Sequence, residues 1–437
     1  MSKRIHIKQG RVIDPASNTD EITDLFIDHG KIVGIGSLGG ASNPSTDFTA
    51  DLTIDATGLI VAPGFIDLSC RLREPGQTHK GDIKSETMAA AASGFTRICC
   101  PPDTTPPVDT AAIATMINEK VAAAGFCKVS LLGAMTKGLE GKQLSEMHAL
   151  KEAGCIGVSN AWHSFTDNQT LRKCLEYAST FDLIYFSNPL DKSLANNGCA
   201  HEGAIATRLG LPSVPALAEV VALSRDILLA EQVGIHLHFS QLSSAKAVRL
   251  VADAQRSGLP VTADVSAHQL MFTDECLDNY QSLYHLRPPL RSPEDLDGLK
   301  TGIKNNTITA ICSDHQPHEP AAKMAPFPAT EPGISALETL LPLALNLVSV
   351  GQLSLMALIE KLSLAPAKIL GVDEGKICLN GSADLCIFNP DKQWTLEADS
   401  MLSKGKNSPL LNQTLTGQVQ YTLVDGELSF SKNEPGS

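Results

Sequence analysis

Several absences narrow this sequence before any motif is considered. No run approaches the roughly eighteen uninterrupted apolar residues of a membrane span, so none is expected. No opening stretch combines basic residues, an apolar core and a cleavage site; residues 1–9 read as a short strand, and the expected compartment is the cytoplasm. Positive charge is in deficit, 35 Lys and Arg against 48 Asp and Glu, for a net −13. That balance argues against a nucleic-acid partner or an anionic membrane. The 11 cysteines are irregularly spaced and include no Cys-x-x-Cys pair. They are expected to be reduced, mostly buried thiols.

What is present is a chain of 437 residues, 43% hydrophobic and 19% charged, whose rhythm changes at residue 59. Before it, short strands at 4–8, 11–13, 25–28, 31–35 and 52–55 are punctuated by turns that include Gly39-Gly40 and Asn43-Pro44. From 59 to 371, apolar runs at 60–70, 96–100, 128–132, 155–159, 183–187, 235–240, 261–265 and 307–313 supply eight strands. Helical periodicity separates them, at 83–93, 111–124, 144–153, 170–179, 217–231, 245–256 and 293–304, and continues at 335–348 and 353–362. Eight apolar strands alternating with helices predict an α/β fold of the (β/α)8 TIM-barrel type. A doubly wound open sheet is the alternative, but no Gly-x-Gly-x-x-Gly follows the first strand. After 371 strands return at 376–379, 384–388, 394–396, 416–419, 420–424 and 427–429. The ends, 1–58 and 372–437, are expected to pair into one small β-sandwich domain, with a disordered tail at 431–437.

In such a barrel the working groups lie at the C-terminal ends of the strands. Reading those ends gives Asp67, Ser69, Arg71 and Arg73 on one face of the first strand, then Asp103 within Pro102-Asp103-Thr104. Next come Ser159-Asn160-Ala161, Ser187-Asn188-Pro189, His236 and His238, Ser266 and His268, and Ser313-Asp314-His315-Gln316-Pro317-His318. Polar groups at the end of a buried strand are costly unless paired or used.

Several ordered motifs carry a likeness: Pro-Gly-Phe-Ile-Asp at 63–67, Leu-Arg-Glu-Pro-Gly at 72–76, His-Lys-x-Asp-Ile at 79–83 and Pro-Pro-Leu-Arg-Ser at 288–292. Asp-His-x-Pro-His at 314–318, Leu-Glu-Thr at 337–339 and Ser-Lys-Gly-Lys-Asn-Ser-Pro at 403–409 extend it. Over nearly its whole length the chain resembles the dihydroorotase branch of the amidohydrolase superfamily. The resemblance implies hydrolysis of a cyclic amide by zinc-activated water. It assigns the proton shuttle to the position of Asp314 and carboxylate binding to those of Arg73 and His318.

The departures fall on that chemistry. The family's first strand ends Asp-x-His-x-His-x-Arg, and the two zinc histidines are here Ser69 and Arg71. The Ser-Asp-Asp-Gly-like turn after the fourth strand is Ser159-Asn160-Ala161-Trp162, and the histidine after the fifth is Asn188. His238 and Asp314 alone match. Zinc wants three or four His, Cys or carboxylate donors, and a guanidinium stays protonated and cannot ligate. The family's Asn residues near the substrate carboxylate are here Asp103 and Arg287. The expectation is no cofactor and no working catalysis, with Arg71 paired to Asp314 in place of the cation. Arg73, Asp103, Arg287 and His318 remain as a candidate anion pocket.

Alternatives are an active cyclic amidase with zinc at a weakened site, held by His236, His238 and Asp314, or a Ser69–His238–Asp314 triad. A thiol nucleophile has less to recommend it: Cys70 should face the helix layer, and of Cys99 and Cys100 one should face the barrel interior. In the family, barrels of this kind assemble with aspartate transcarbamoylase. The resemblance therefore implies its catalytic chain as partner, in a homo- or hetero-oligomer serving pyrimidine synthesis. A binding module for a carboxylated metabolite is the third reading.

Overall fold

A computed structural model describes residues 3–37, 48–165 and 167–432. The expected turns at Gly39-Gly40 and Asn43-Pro44, and the tail beyond residue 432, lie outside the described residues. Strands β1 (Ile5–Asp14), β2 (Thr19–Asp28), β3 (Lys31–Ile35), β4 (Leu52–Asp55) and β5 (Ile60–Pro63) open the chain. The barrel strands β6 (Phe65–Asp67), β7 (Phe95–Cys100), β8 (Lys128–Ala134), β9 (Cys155–Ser159) and β10 (Ile184–Ser187) follow. A short ladder of β11 (Ala200–His201) and β12 (Ser213–Val214) precedes β13 (Leu237–Phe239), β14 (Val261–Ser266) and β15 (Ala310–Cys312). The chain closes with β16 (Leu385–Thr395), β17 (Thr414–Val424) and β18 (Glu427–Ser431).

The parallel sheet runs β15-β14-β13-β10-β9-β8-β7-β6. It is nearly closed: beyond the last strands, the Arg71 N–H donates to His315 O (3.0 Å) and the His315 N–H to Ser69 O (3.1 Å). The helices are α1 (Ile83–Ala92), α2 (Ala111–Ala124), α3 (Met147–Glu152), α4 (Asn168–Thr180), α5 (Lys192–Ala195) and α6 (Ala204–Leu209). Then come α7 (Ala216–Val233), α8 (Ala245–Arg256), α9 (Pro293–Lys304), α10 (Leu337–Ser349), α11 (Leu355–Leu362) and α12 (Leu364–Leu370). Local chemistry starts them where the sequence suggests. Asp82 and Ser85 form a capping box at α1, and Ser292 caps α9 with Pro293 in its first turn. Helix α8 buries Ala247, Val248, Val251 and Ala254 against the barrel.

The chain ends do pair, in one sheet ordered β18-β17-β16-β5-β1-β2-β3, with β4 on β1. Its own core draws Ile5, Leu25 and Ile54 from one end and Leu385, Ile387 and Leu423 from the other. The stretch expected as one strand at 60–70 is two. β5 pairs with β1 and β16, whereas β6 pairs with β7. The break is Gly64, where a Cβ would lie 2.2 Å from the Thr96 side chain. Further strand expectations are revised: 4–8 with 11–13, 384–388 with 394–396, and 416–419 with 420–424 each belong to one strand, and 376–379 forms none. The α5–β12 insertion has no clear periodicity, being too short to show one.

Candidate functional site

The first-strand residues converge on the end of β15. Asp67 accepts from the Ser313 N–H (2.8 Å) and from its hydroxyl, which ties the first strand to the eighth. Ser69 donates to Asp314 (3.3 Å). Arg71 is buried, at 5% exposure, and bridges two carboxylates: Nε to Asp103 (2.8 Å) and Nη1 to Asp314 (3.1 Å). Gln316 Nε2 lies 3.1 Å from both oxygens of Asp314. Arg73, Ala161 and Asp314 all adopt left-handed backbone, with φ of 60°, 47° and 47°. For residues with a Cβ this is strained, and such strain gathers where a site has been shaped.

Charge in this cluster is settled by burial against pairing. Burial pushes the Asp314 carboxyl up to about 6, against the opposing pull of Arg71, Gln316 and Ser69. Asp103 goes the other way: burial opposes ionisation, yet the Arg71 charge and hydrogen bond, with Arg73 behind them, hold it below its usual range. Burial also works against the Arg71 charge, but Asp103 and Asp314 together keep it above its ordinary value. Only about 10 Å³ remains open beside Arg71, Arg73 and Asp103. That is room for about one water.

The anion-pocket residues divide. Arg73 donates through Nε to Pro317 O (3.1 Å), and its Nη2 lies 3.1 Å from His318 Nε2. His318 Nδ1 lies 3.3 Å from Lys80 Nζ and its Nε2 3.0 Å from Pro332 O. Burial, then Arg73 and Lys80, push His318 down to about 2, so it is neutral. Arg287 makes no hydrogen bond to this cluster, but burial, and after it the nearby Arg71 charge, lowers its pKa. It lines a cavity of about 1110 Å³ among the loops after the barrel strands, with Trp162, His163 and His285.

The other strand ends are occupied by amides and a spent histidine. Asn160 accepts from Thr136 (2.7 Å) and donates to His163 O (2.8 Å), while the Ala161 N–H goes to Ser159 (2.9 Å). Asn188 donates to Gln241. His238 is fully buried with both ring nitrogens engaged, by Asp264 (3.0 Å) and Thr262 (2.9 Å). The alternative Ser69–His238–Asp314 triad is therefore not assembled, since His238 turns to Asp264. The trio with His236 also fails: His236 precedes β13 and is exposed, at the opposite end of the strand from the mouth. Cys70 belongs to the large core that also takes in Ile83, Ala89 and Ala90 of α1, while Cys99 belongs to a smaller cluster with Leu132 and Phe186.

The chain is 50% identical over 425 residues to the "Dihydroorotase-like protein" of Pseudomonas aeruginosa, covering 97% of this chain and 99% of that one. It belongs to the dihydroorotase-like family. The sequence pattern of that family, described as Dihydro-orotase-like, matches residues 58–247. A "Dihydroorotase" of Trichlorobacter lovleyi is 39% identical over 425 residues, 97% of this chain and 99% of that one. Among solved structures, the L-hydantoinase (dihydropyrimidinase) of Arthrobacter aurescens superposes with a TM-score of 0.86 at 24% identity, over 99% of this chain and 97% of that one. That likeness speaks for the fold alone.

Zinc, which the family resemblance implies, does not fit the strand ends of this dihydroorotase-like chain. Among the described residues no three His, Cys, Asp or Glu side chains converge to hold a metal ion. The guanidinium of Arg71 reaches Asp314, a retained donor, and cannot itself donate a lone pair. Sequence reasoning passed over Asp264, although a lone Asp in the apolar run Ala263-Asp264-Val265 was a signal. It accepts from the Gln241 N–H (2.7 Å) and fixes His238. Glu86 and His315, paired at 2.7 Å and both buried, were also missed as a unit because they lie 229 residues apart.

Proposed function

We propose that this chain is a catalytically silent member of the dihydroorotase-like family that holds no zinc. It serves as a structural or regulatory partner of the aspartate transcarbamoylase catalytic chain in cytoplasmic pyrimidine synthesis. The observation that carries this reading is Arg71 seated between Asp103 and Asp314, at 2.8 and 3.1 Å. In metal-dependent hydrolysis the ion lowers the pKa of bound water from 15.7 to about 7 and polarises the scissile carbonyl. A fixed guanidinium balances the charge of Asp314 but does neither.

A whole fold kept around such a mouth is most simply explained by a retained surface, and the partner assignment follows from the resemblance on that basis.

The test is metal analysis and a dihydroorotase assay on the purified chain, with and without aspartate transcarbamoylase. The expected outcome is sub-stoichiometric zinc, no turnover and one large co-eluting assembly. Zinc near two equivalents, or turnover abolished by Asp314→Ala, would establish the altered-site amidohydrolase instead. Arg71→His alone restoring tight zinc and activity would equally overturn the reading.

A further inference from the structure

We infer that the cavity between the barrel's helix layer and the terminal sheet binds a small organic cation, an amine or amidine on an apolar or aromatic body, through the Glu338 carboxylate. The cavity lies away from the barrel mouth and measures about 290 Å³. Its apolar walls come from α1 through Met88, α10 through Leu341, β16 through Trp394, β17 through Val419 and β18 through Phe430. Small-molecule sites favour such joins between units, begin at about 300 Å³, and set a few polar groups among apolar walls.

Those polar groups select the ligand. Glu338 lines the cavity from the first turn of α10 and accepts the backbone N–H of Leu402 (2.8 Å) and of Ser403 (3.4 Å). A carboxylate offers about four acceptor positions, so capacity is left over. Pro342 lies four residues further along and also lines the cavity. Having no N–H, it withdraws the α-helical partner of the Glu338 carbonyl. Several wall donors are already spent. Trp394 Nε1–H goes to Gly417 O (2.9 Å), Ser93 Oγ to Ala89 O (2.7 Å) and Ser429 Oγ to Phe126 O. Apart from Lys432, which also lines the cavity, the wall offers spare acceptors, aromatic faces and committed donors, which suits a ligand that brings N–H groups and positive charge.

The charged groups around Glu338 are Glu86 from α1, itself held by His315, Lys406 from the loop after Leu402, and Lys432 at the end of β18. Burial pushes the Glu338 carboxyl up to about 7; the Leu402 and Ser403 N–H groups and Lys406 oppose this, and Glu86 adds to it. A cation requires the ionised form, which rises from about one tenth at pH 6 to about nine tenths at pH 8 for a midpoint near 7. Affinity for a permanently charged probe should therefore rise about tenfold between those pH values.

The experiment is calorimetric titration of the full chain with benzamidine and with its neutral isostere benzamide, at pH 6 and pH 8. Saturable benzamidine binding, about tenfold tighter at pH 8, with benzamide weak and insensitive to pH, is the expected result. Glu338→Gln should abolish both the preference and the pH effect. Ala92→Leu, which fills the cavity and leaves Glu338 intact, should abolish binding, and thermal melts check that both variants fold. Equal affinity for the two probes, no saturable heat, or unchanged binding by Ala92→Leu would overturn the proposal. Zinc content and transcarbamoylase co-elution are read independently of benzamidine binding, so the two proposals can fail separately.

Discussion

A guanidinium loses several kcal/mol of hydration on burial unless carboxylates replace the water. For Arg71 the replacement comes from Asp103 and Asp314, and the dependence is mutual. Arg71→Met leaves the buried Asp314 with no ion-pair partner and Asp103 with only the longer-range pull of Arg73. It should cost about 3–5 kcal/mol of unfolding free energy at pH 8, read from urea denaturation. The loss should shrink at pH 5, because burial already places Asp314 near 6 and a protonated Asp314 needs no partner. An equal loss at both pH values would show that Asp314 stays ionised throughout. Asp67 makes a second pH-dependent contribution. Burial is the leading cause of its rise to about 7, against hydrogen bonds from Ser313 and Ser69. A folded value above the unfolded carboxyl at about 3.9 means that the native state holds a proton the unfolded chain has released. Its stabilising contribution is therefore complete below about pH 4 and declines as pH rises to about 7. Asp67→Asn should flatten that part of the stability profile between pH 5 and pH 8; an unchanged slope would rule Asp67 out as its source.

At the level of elements, the first barrel strand is short because its chain serves two sheets. β5 closes the terminal sheet and β6 opens the barrel, with Gly64 as the only residue between them. The Gly64 N–H donates to Asp384 O (2.9 Å), and the face where a side chain would project is filled by Thr96 of β7. Gly64→Ala should destabilise by about 1–3 kcal/mol through overpacking. Thr96→Ala should recover part of that loss in the double variant, while the Thr96 Cβ, 2.7 Å from the added methyl, prevents full recovery. Strict additivity in a double-mutant cycle would mean that the two residues do not meet. The same reasoning explains how much of the fold the sequence revealed. Helices 111–124, 245–256 and 293–304 are found where periodicity puts them, because one face of each is apolar for three or more turns. The break at Gly64 was invisible, since apolar residues continue on both sides and only the identity of the pairing strand changes.

For the whole molecule, the barrel and the terminal sheet behave as one body joined by charge as well as by apolar packing. Arg97 of β7 holds Glu374 (2.8 and 2.6 Å), and Lys128 of β8 reaches Glu374 (3.1 Å) and Asp384 (2.7 Å) on the way into β16. Those pairs sit at the N-terminal ends of β7 and β8, away from the mouth. If the working part of this chain is its outer surface, changes confined to the mouth should leave assembly intact. Arg71→Met, assayed below its own melting temperature, should co-elute with aspartate transcarbamoylase to the same extent as the unaltered chain. Loss of the complex by a still-folded variant would place the barrel mouth inside the functional interface.

The residues alone determined the barrel and the pairing of the two chain ends, and they put Ser69, Arg71, Asn160, Ala161 and Asn188 at its strand ends. Periodicity reports which face of an element is buried, and a guanidinium has no lone pair to donate in any fold. The pairing of Arg71 with Asp314 was legible as well, because strand ends in a barrel share one mouth. Tertiary structure decided what sequence spacing cannot express. Asp103 was recruited as a second partner of Arg71, His238 was committed to Asp264, and His236 was left at the far end of its strand. It also placed Glu338 on the wall of a cavity shared by α1, α10 and three strands of the terminal sheet. Each of these depends on which side chain a buried polar group can reach, and that is fixed only when residues hundreds of positions apart are packed together.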